Sequence, residues 1–289
     1  MAEIIEWERI NMGKQITWSY SKLSSFYNCP YGWYLNYVKH QRGNENVYGV
    51  LGGCIHNCLE RIFKGEIDIE KAKEEWITEF EMCELLDMRF PTEKSKENYY
   101  HSMIHCLDHW EEYPSDYKYL TELHFVFEPI EDVRMQGYID LIQIDKENKT
   151  MRVIDYKTSS KFSKKELEGE KVFQLILYSM YLEEAYPDYT ILNPCFEMLK
   201  YTRNKRNTVI ERNTVDDLLD DFDYKRCFIE VEYNDEMKEK LKEFITSTID
   251  EIEKHDVDVE EDWIPEKPNA FYCKNLCGHY TDCPYAARK

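Results

Sequence analysis

The chain has 289 residues, 43% of them hydrophobic and 15% aromatic, which excludes a disordered segment and is enough for a sizeable core. Its formal net charge is −20, with 37 Lys and Arg against 57 Asp and Glu, and this argues against a broadly basic, nucleic-acid-coating surface. No apolar run reaches the roughly 18–20 residues of a membrane span. Residues 1–10 carry three glutamates and no apolar stretch, so neither a membrane segment nor a secretory signal is expected, and the cytoplasm is the expected compartment.

Residues 16–38 read as a helical entry. Ser19 or Ser21 is placed to cap it, Leu23, Phe26, Tyr27 and Tyr31 recur at helical spacing, and Pro30 after Cys29 marks a bend. Residues 49–64 form a second predicted helix, opened by Gly49, Gly52 and Gly53, and 69–88 and 97–112 form two more. The pattern then changes. Residues 122–127, 135–144 and 151–156 are rich in β-formers and separated by polar turns, so they read as consecutive strands. A helix over 173–185 follows, then strands at 196–201, 208–212 and 227–233. A last helix over 235–254 has Met237, Leu241, Phe244, Ile245 and Ile249 on its apolar face. This order predicts an α/β (α+β) fold in three regions: a mostly helical 1–115, a core over 116–260, and a tail over 261–289.

The chemistry concentrates in two apolar strands that each carry a carboxylate, Gly137-Tyr138-Ile139-Asp140 and Val153-Ile154-Asp155-Tyr156-Lys157. A buried charge needs compensation, and a divalent cation between Asp140 and Asp155 would supply it. The side-chain period of two puts Asp155 and Lys157 on one face of their strand. Carboxylates that hold Mg²⁺ or Mn²⁺ beside a lysine that orients or deprotonates water make a hydrolytic site. Taken alone, Asp-x-Lys reads more readily as a buried ion pair or a turn at the strand end. His56, with Glu60 one turn on, is a candidate imidazole ligand, and Gln174 and Tyr178, also four apart, are placed to reach the same site.

These parts occur in a fixed order: Ser19-x-Ser21-x-Leu23, Cys29-Pro30, Gly52 to His56 to Leu59-Glu60, Gly137-x-Ile139-Asp140, Ile154-Asp155-Tyr156-Lys157-Thr158, and Gln174 to Tyr178. The series resembles the RecB-like branch of the PD-(D/E)XK nuclease superfamily over residues 17–285. The resemblance implies a mixed central sheet flanked by helices. It implies His56, Asp140, Asp155 and the Tyr156 carbonyl as metal ligands, Lys157 as the catalytic lysine, and Gln174 and Tyr178 as an accessory pair. Two departures stand out: Tyr138-Ile139-Asp140 replaces the Pro-Asp, and Asp155 replaces the Glu.

Ten cysteines in a cytoplasmic chain are expected to be reduced, and Cys54, Cys58, Cys83, Cys106, Cys195 and Cys227 read as core or surface thiols. Cys273, Cys277 and Cys283 lie close enough in sequence to bind metal. Zinc, with His279 or Cys29 as fourth ligand, is one reading. The iron–sulfur branch of the same family, which includes AddB-type and CRISPR-associated adaptation nucleases, has one cysteine before the nuclease motifs and three after them. That resemblance implies a 4Fe–4S cluster on Cys29, Cys273, Cys277 and Cys283, clasping the tail to the N-terminal region.

The function expected is therefore a Mg²⁺- or Mn²⁺-dependent deoxyribonuclease. By resemblance it is an exonuclease or end-processing enzyme on single-stranded DNA or free ends, in recombination, repair or phage DNA metabolism. RNA is not excluded. The alternative is a non-catalytic DNA-binding or scaffold subunit that relies on a protein partner or on a second copy. Local basic segments, Lys161, Lys164, Lys165 and Lys171 and then Lys200, Arg203, Lys205 and Arg206, are candidates for a DNA groove, and Trp18, Tyr20, Tyr27, Tyr31 and Trp33 for base stacking. Abundant Tyr, Asn, Lys and Ile with little Ala suggest an AT-rich genome, bacterial or phage.

Overall fold

The computed structural model describes residues 16–159, 162–203, 209–211 and 225–287. Residues 1–10, Lys161, Lys205, Arg206 and the ends of the strand predicted at 208–212 lie outside the described residues. No helix among the described residues is long and apolar enough to cross a membrane.

The chain opens with a short strand, β1 (Thr17–Ser19), and not with a helix. Three residues carry no readable period; β1 exists because it pairs in parallel with a later strand and buries Trp18 beside Met135. Ser19 then caps α1 (Tyr20–Asn28), accepting from Lys22 N. Cys29 ends α1 and caps α2 (Pro30–Tyr37), its Sγ accepting from Gly32 N at 3.3 Å, with Pro30 in the first turn, where its missing N–H costs nothing. α3 (Val47–Phe63) is capped by Asn46 and buries Val47, Leu51, Ile55 and Leu59. α4 (Ile69–Leu85) and α5 (Glu93–Asp108) pack beside it.

β2 (Lys118–Ile130), β3 (Val133–Asp145) and β4 (Thr150–Lys157) form an antiparallel meander. The short α6 (Lys164–Leu167) leads to α7 (Phe173–Ala185), which matches its predicted bounds. β5 (Thr190–Ile191) and β6 (Cys195–Arg203) both lie parallel to β4. β7 (Val209–Glu211) and β8 (Lys225–Glu230) pair antiparallel with β6, followed by α8 (Asp235–Glu253) and α9 (Ala270–Asn275). The result is a mixed sheet with helices on both faces, as expected of this element order.

Two apolar cores sandwich the sheet. On one face, Ile139, Ile142, Val153 and Phe196 pack with α7, α8, α1, α2 and Trp263. On the other, Leu141, Ile154, Tyr156 and Leu199 pack with α3, α4 and α5. α7 buries residues on nearly every side, because it lies between the sheet and other helices. Trp18, Tyr31 and Trp33 are 5–7% exposed, so these three proposed stacking rings belong to the core; Trp33 lies parallel to Trp263 at 5.3 Å. Of the basic candidates, Lys165 and Lys171 are exposed, and Lys200 lies over the Tyr99 ring.

Candidate metal centre

The site occupies a gap in strand pairing. On the edge of β3 away from β2, residues 141–145 pair with β4 and residues 134–136 pair with β1, while 137–140 pair with neither. Asp140 stands at the lip of this gap.

Opposite it, the β2–β3 ladder runs Thr121↔Leu141 and then Leu123↔Ile139, skipping Glu122, which adopts a left-handed φ of 48°. The alternation of faces breaks there, so that Leu120 and Leu123, and across from them Ile142 and Ile139, all pack on the same core. Such local irregularities re-aim side chains next to functional sites. Here the ligand atoms of His56, Glu122 and Asp140 lie within 4.8 Å of one another. Glu122 was missed by sequence reasoning: it stood at the start of a predicted strand, and nothing in its neighbours announced the break.

His56 is delivered by α3, from the position following the buried Ile55, with Nδ1 3.4 Å from Asp140 Oδ2. The same oxygen accepts from Tyr156 N at 2.9 Å, tying β3 to β4. From the other side of the sheet, Lys157 Nζ lies 2.6 Å from Asp155 Oδ2 and donates to Gln174 Oε1 at 3.3 Å; Gln174 Nε2 then donates to the Tyr178 hydroxyl at 2.7 Å. The period of two thus places Asp155 and Lys157 on one face, and α7 holds the lysine in place. Gly137 is needed for this packing, since a Cβ there would lie 3.0 Å from the Phe125 ring and 3.1 Å from the Tyr178 ring. Glu60 turns aside to pair with Lys64 at 2.6 Å.

Burial disfavours charge on each central group, and the partners answer it unequally. For His56, the hydrogen bond and charge of Asp140 outweigh burial and raise its pKa; for Asp140, burial is outweighed by His56 and Lys157, and the pKa falls. Asp155, only 2% exposed, is pushed up to about 6 by burial despite the opposing charge of Lys157. Asp155 Oδ2 has that one lysine contact and no further hydrogen-bond partner. A buried carboxylate oxygen held by a single ammonium, near a close-set imidazole and two carboxylates, fits a hard divalent cation.

The four cysteines singled out by sequence come together elsewhere: Cys29, Cys273, Cys277 and Cys283 line one small enclosed cavity with Pro265, Tyr280 and Tyr285.

A candidate oxygen-rich cation site near a lysine, in the gap of a mixed helix-flanked sheet, suits a metal-dependent hydrolase. The PD-(D/E)XK nuclease superfamily profile matches residues 17–288, and the chain belongs to that superfamily. Membership implies a metal-dependent nuclease. Comparison with curated proteins finds no match.

Proposed function

We propose that the protein is a Mg²⁺- or Mn²⁺-dependent deoxyribonuclease that trims single-stranded DNA from free ends. The observation that carries this reading is the set of charged groups at the pairing gap: His56, Glu122 and Asp140 with ligand atoms within 4.8 Å of one another, and the Asp155–Lys157 pair close enough for Lys157 to act on both His56 and Asp140. His56, Asp140, Asp155 and the Tyr156 carbonyl would hold the ion, with Glu122 as a further carboxylate in reach. When bound, the ion supplies Lewis acidity and an acidified water. Lys157 is the group that orients the attacking water and moves its proton. Gln174 fixes the Lys157 ammonium, and Tyr178, whose pKa burial raises strongly, stays a neutral phenol supporting Gln174.

The reading extends to a 4Fe–4S cluster on Cys29, Cys273, Cys277 and Cys283 that fastens the tail 261–289 to the region 1–115. The shared cavity supports it.

The test is cleavage of an end-labelled single-stranded oligonucleotide by anaerobically purified protein, with Mn²⁺ or Mg²⁺ and with Lys157→Ala alongside. A stepwise product ladder is expected that needs the ion and falls at least about 100-fold in the variant. Wild-type rates from Lys157→Ala would show the assigned site to be wrong. Iron and sulfide content with visible absorbance tests the cluster; stoichiometric zinc instead would overturn it.

A further inference from the structure

We propose that the bare sheet face beside the metal centre is a stacking platform, with Tyr138 and His124 as its rings, for the base that flanks the scissile phosphate of a single DNA strand; this rests on the nuclease reading above. On β2 and β3 the residues that turn into the core are Phe125, Phe127, Met135 and Ile139. Their alternates, His124, Val126, Gln136 and Tyr138, turn the other way and are all exposed. Tyr138 is 58% exposed, unusual for a large ring within a long strand. His124 is its direct cross-strand partner, and the two rings meet at 4.8 Å between centroids. They form one ledge whose upper side faces solvent.

The ledge is continuous with the site. Tyr138 stands two residues before Asp140 on β3, about 6.6 Å along the strand backbone, and His124 lies directly across from Tyr138. A phosphodiester at the carboxylates therefore puts a neighbouring base within reach of the ledge. Charge points the same way. A chain of net charge −20 gains little from phosphate contacts over its general surface, whereas base stacking needs no basic patch and works with any base. A duplex keeps its bases stacked on each other and offers none to Tyr138, so the ledge selects unpaired strands. This ledge takes over the role that the sequence assigned to Trp18, Tyr31 and Trp33, which are buried.

The test is binding of single-stranded oligonucleotides to the whole protein without added divalent ion, so that nothing is cut. A fluorescent base analogue is placed at successive positions from each end, and a matched set carries an abasic position instead. Wild-type protein should quench the analogue at one position near an end. Tyr138→Ala should lose that quenching and bind about tenfold more weakly, His124→Ala should lose part of it, and Tyr138→Phe should restore it. On the oligonucleotide abasic at that position, wild type and Tyr138→Ala should bind equally. Equal binding and quenching by Tyr138→Ala, or a penalty that persists without the base, overturns the platform while leaving the nuclease reading intact. If wild-type protein neither binds nor cuts any strand, both fall together.

Discussion

Two regions of this molecule gather ligand-type side chains, and they are held together in different ways. At the carboxylate centre the groups compensate one another: His56 with Asp140, Lys157 with Asp155, Gln174 with Lys157. Asp155 Oδ2, held by Lys157, has no further hydrogen-bond partner. In the cysteine cavity, burial raises the pKa of Cys29 and takes Cys277 to about 11, and the neighbouring sulfurs push in the same direction. Raised in this way, Cys29 and Cys277 carry no charge that would draw them together. Their positions are fixed by backbone around them: Asn44 N donates to Gly278 O at 3.0 Å, Asn46 Nδ2 to Leu276 O at 3.2 Å, and Arg89 to Lys274 O at 3.1 Å. The first region is preorganised before its ligand arrives. The second owes its cohesion to chain packing and, on our reading, to the cluster it holds.

That contrast can be broken from its stronger side first. Cys283→Ala should cost more than about 4 kcal/mol, read as a collapse of the thermal midpoint together with lost visible absorbance, because a bound group that spans distant segments contributes directly to folding. An unchanged midpoint would mean that the cavity holds nothing structural. Next come two glycines that look alike in sequence. Gly278→Ala would drive a Cβ into Asn44 O, a backbone atom that cannot yield, and should cost about 3 kcal/mol in denaturant titration. Gly137→Ala meets only ring edges at 3.0–3.1 Å; it should cost about 1 kcal/mol and appear mainly as slower cleavage, because Tyr178 and with it Gln174 must move.

Asp155 sharpens the comparison through pH. The folded protein keeps its proton to about pH 6, whereas the ordinary value is 3.8. The folded state then binds more protons across that window, so metal-free stability falls as pH rises from about 4 to 6 and levels off above, by on the order of 2–3 kcal/mol from this group. Urea titrations should find that slope reduced in Asp155→Asn, and Mg²⁺ should raise the midpoint more at pH 8 than at pH 5. The smallest effect is expected for Glu122→Gln: a few-fold higher Mg²⁺ requirement for cleavage with stability nearly unchanged, since Glu122 lies among other carboxylates and its own ionisation is disfavoured by burial and by Asp140. Unchanged metal dependence would remove Glu122 from the site.

Much of the site was legible because it obeys local periods. Asp155-x-Lys157 shares a face by strand geometry, Gln174 and Tyr178 meet through one helical turn, and α7 followed its pattern to both ends. Thr17–Ser19 was read as helix because three residues show no period, and a pairing partner more than a hundred residues away makes them a strand. Glu122 was invisible for the same kind of reason. Its role depends on a skipped pair in a ladder, and ladders are contacts between segments.

The sequence by itself determined most of the element types, the order of the motifs and the superfamily, because hydrophobic period and motif spacing act over short stretches of chain. Only the tertiary structure decided that β3 passes its free edge from β4 to β1, leaving the gap in which Asp140 stands, that Glu122 joins His56 there, and that Tyr138 faces solvent while Trp18 and Trp33 do not. Each of those outcomes depends on which distant segment covers a given face, and burial by a distant segment leaves no mark on the residues nearby in sequence.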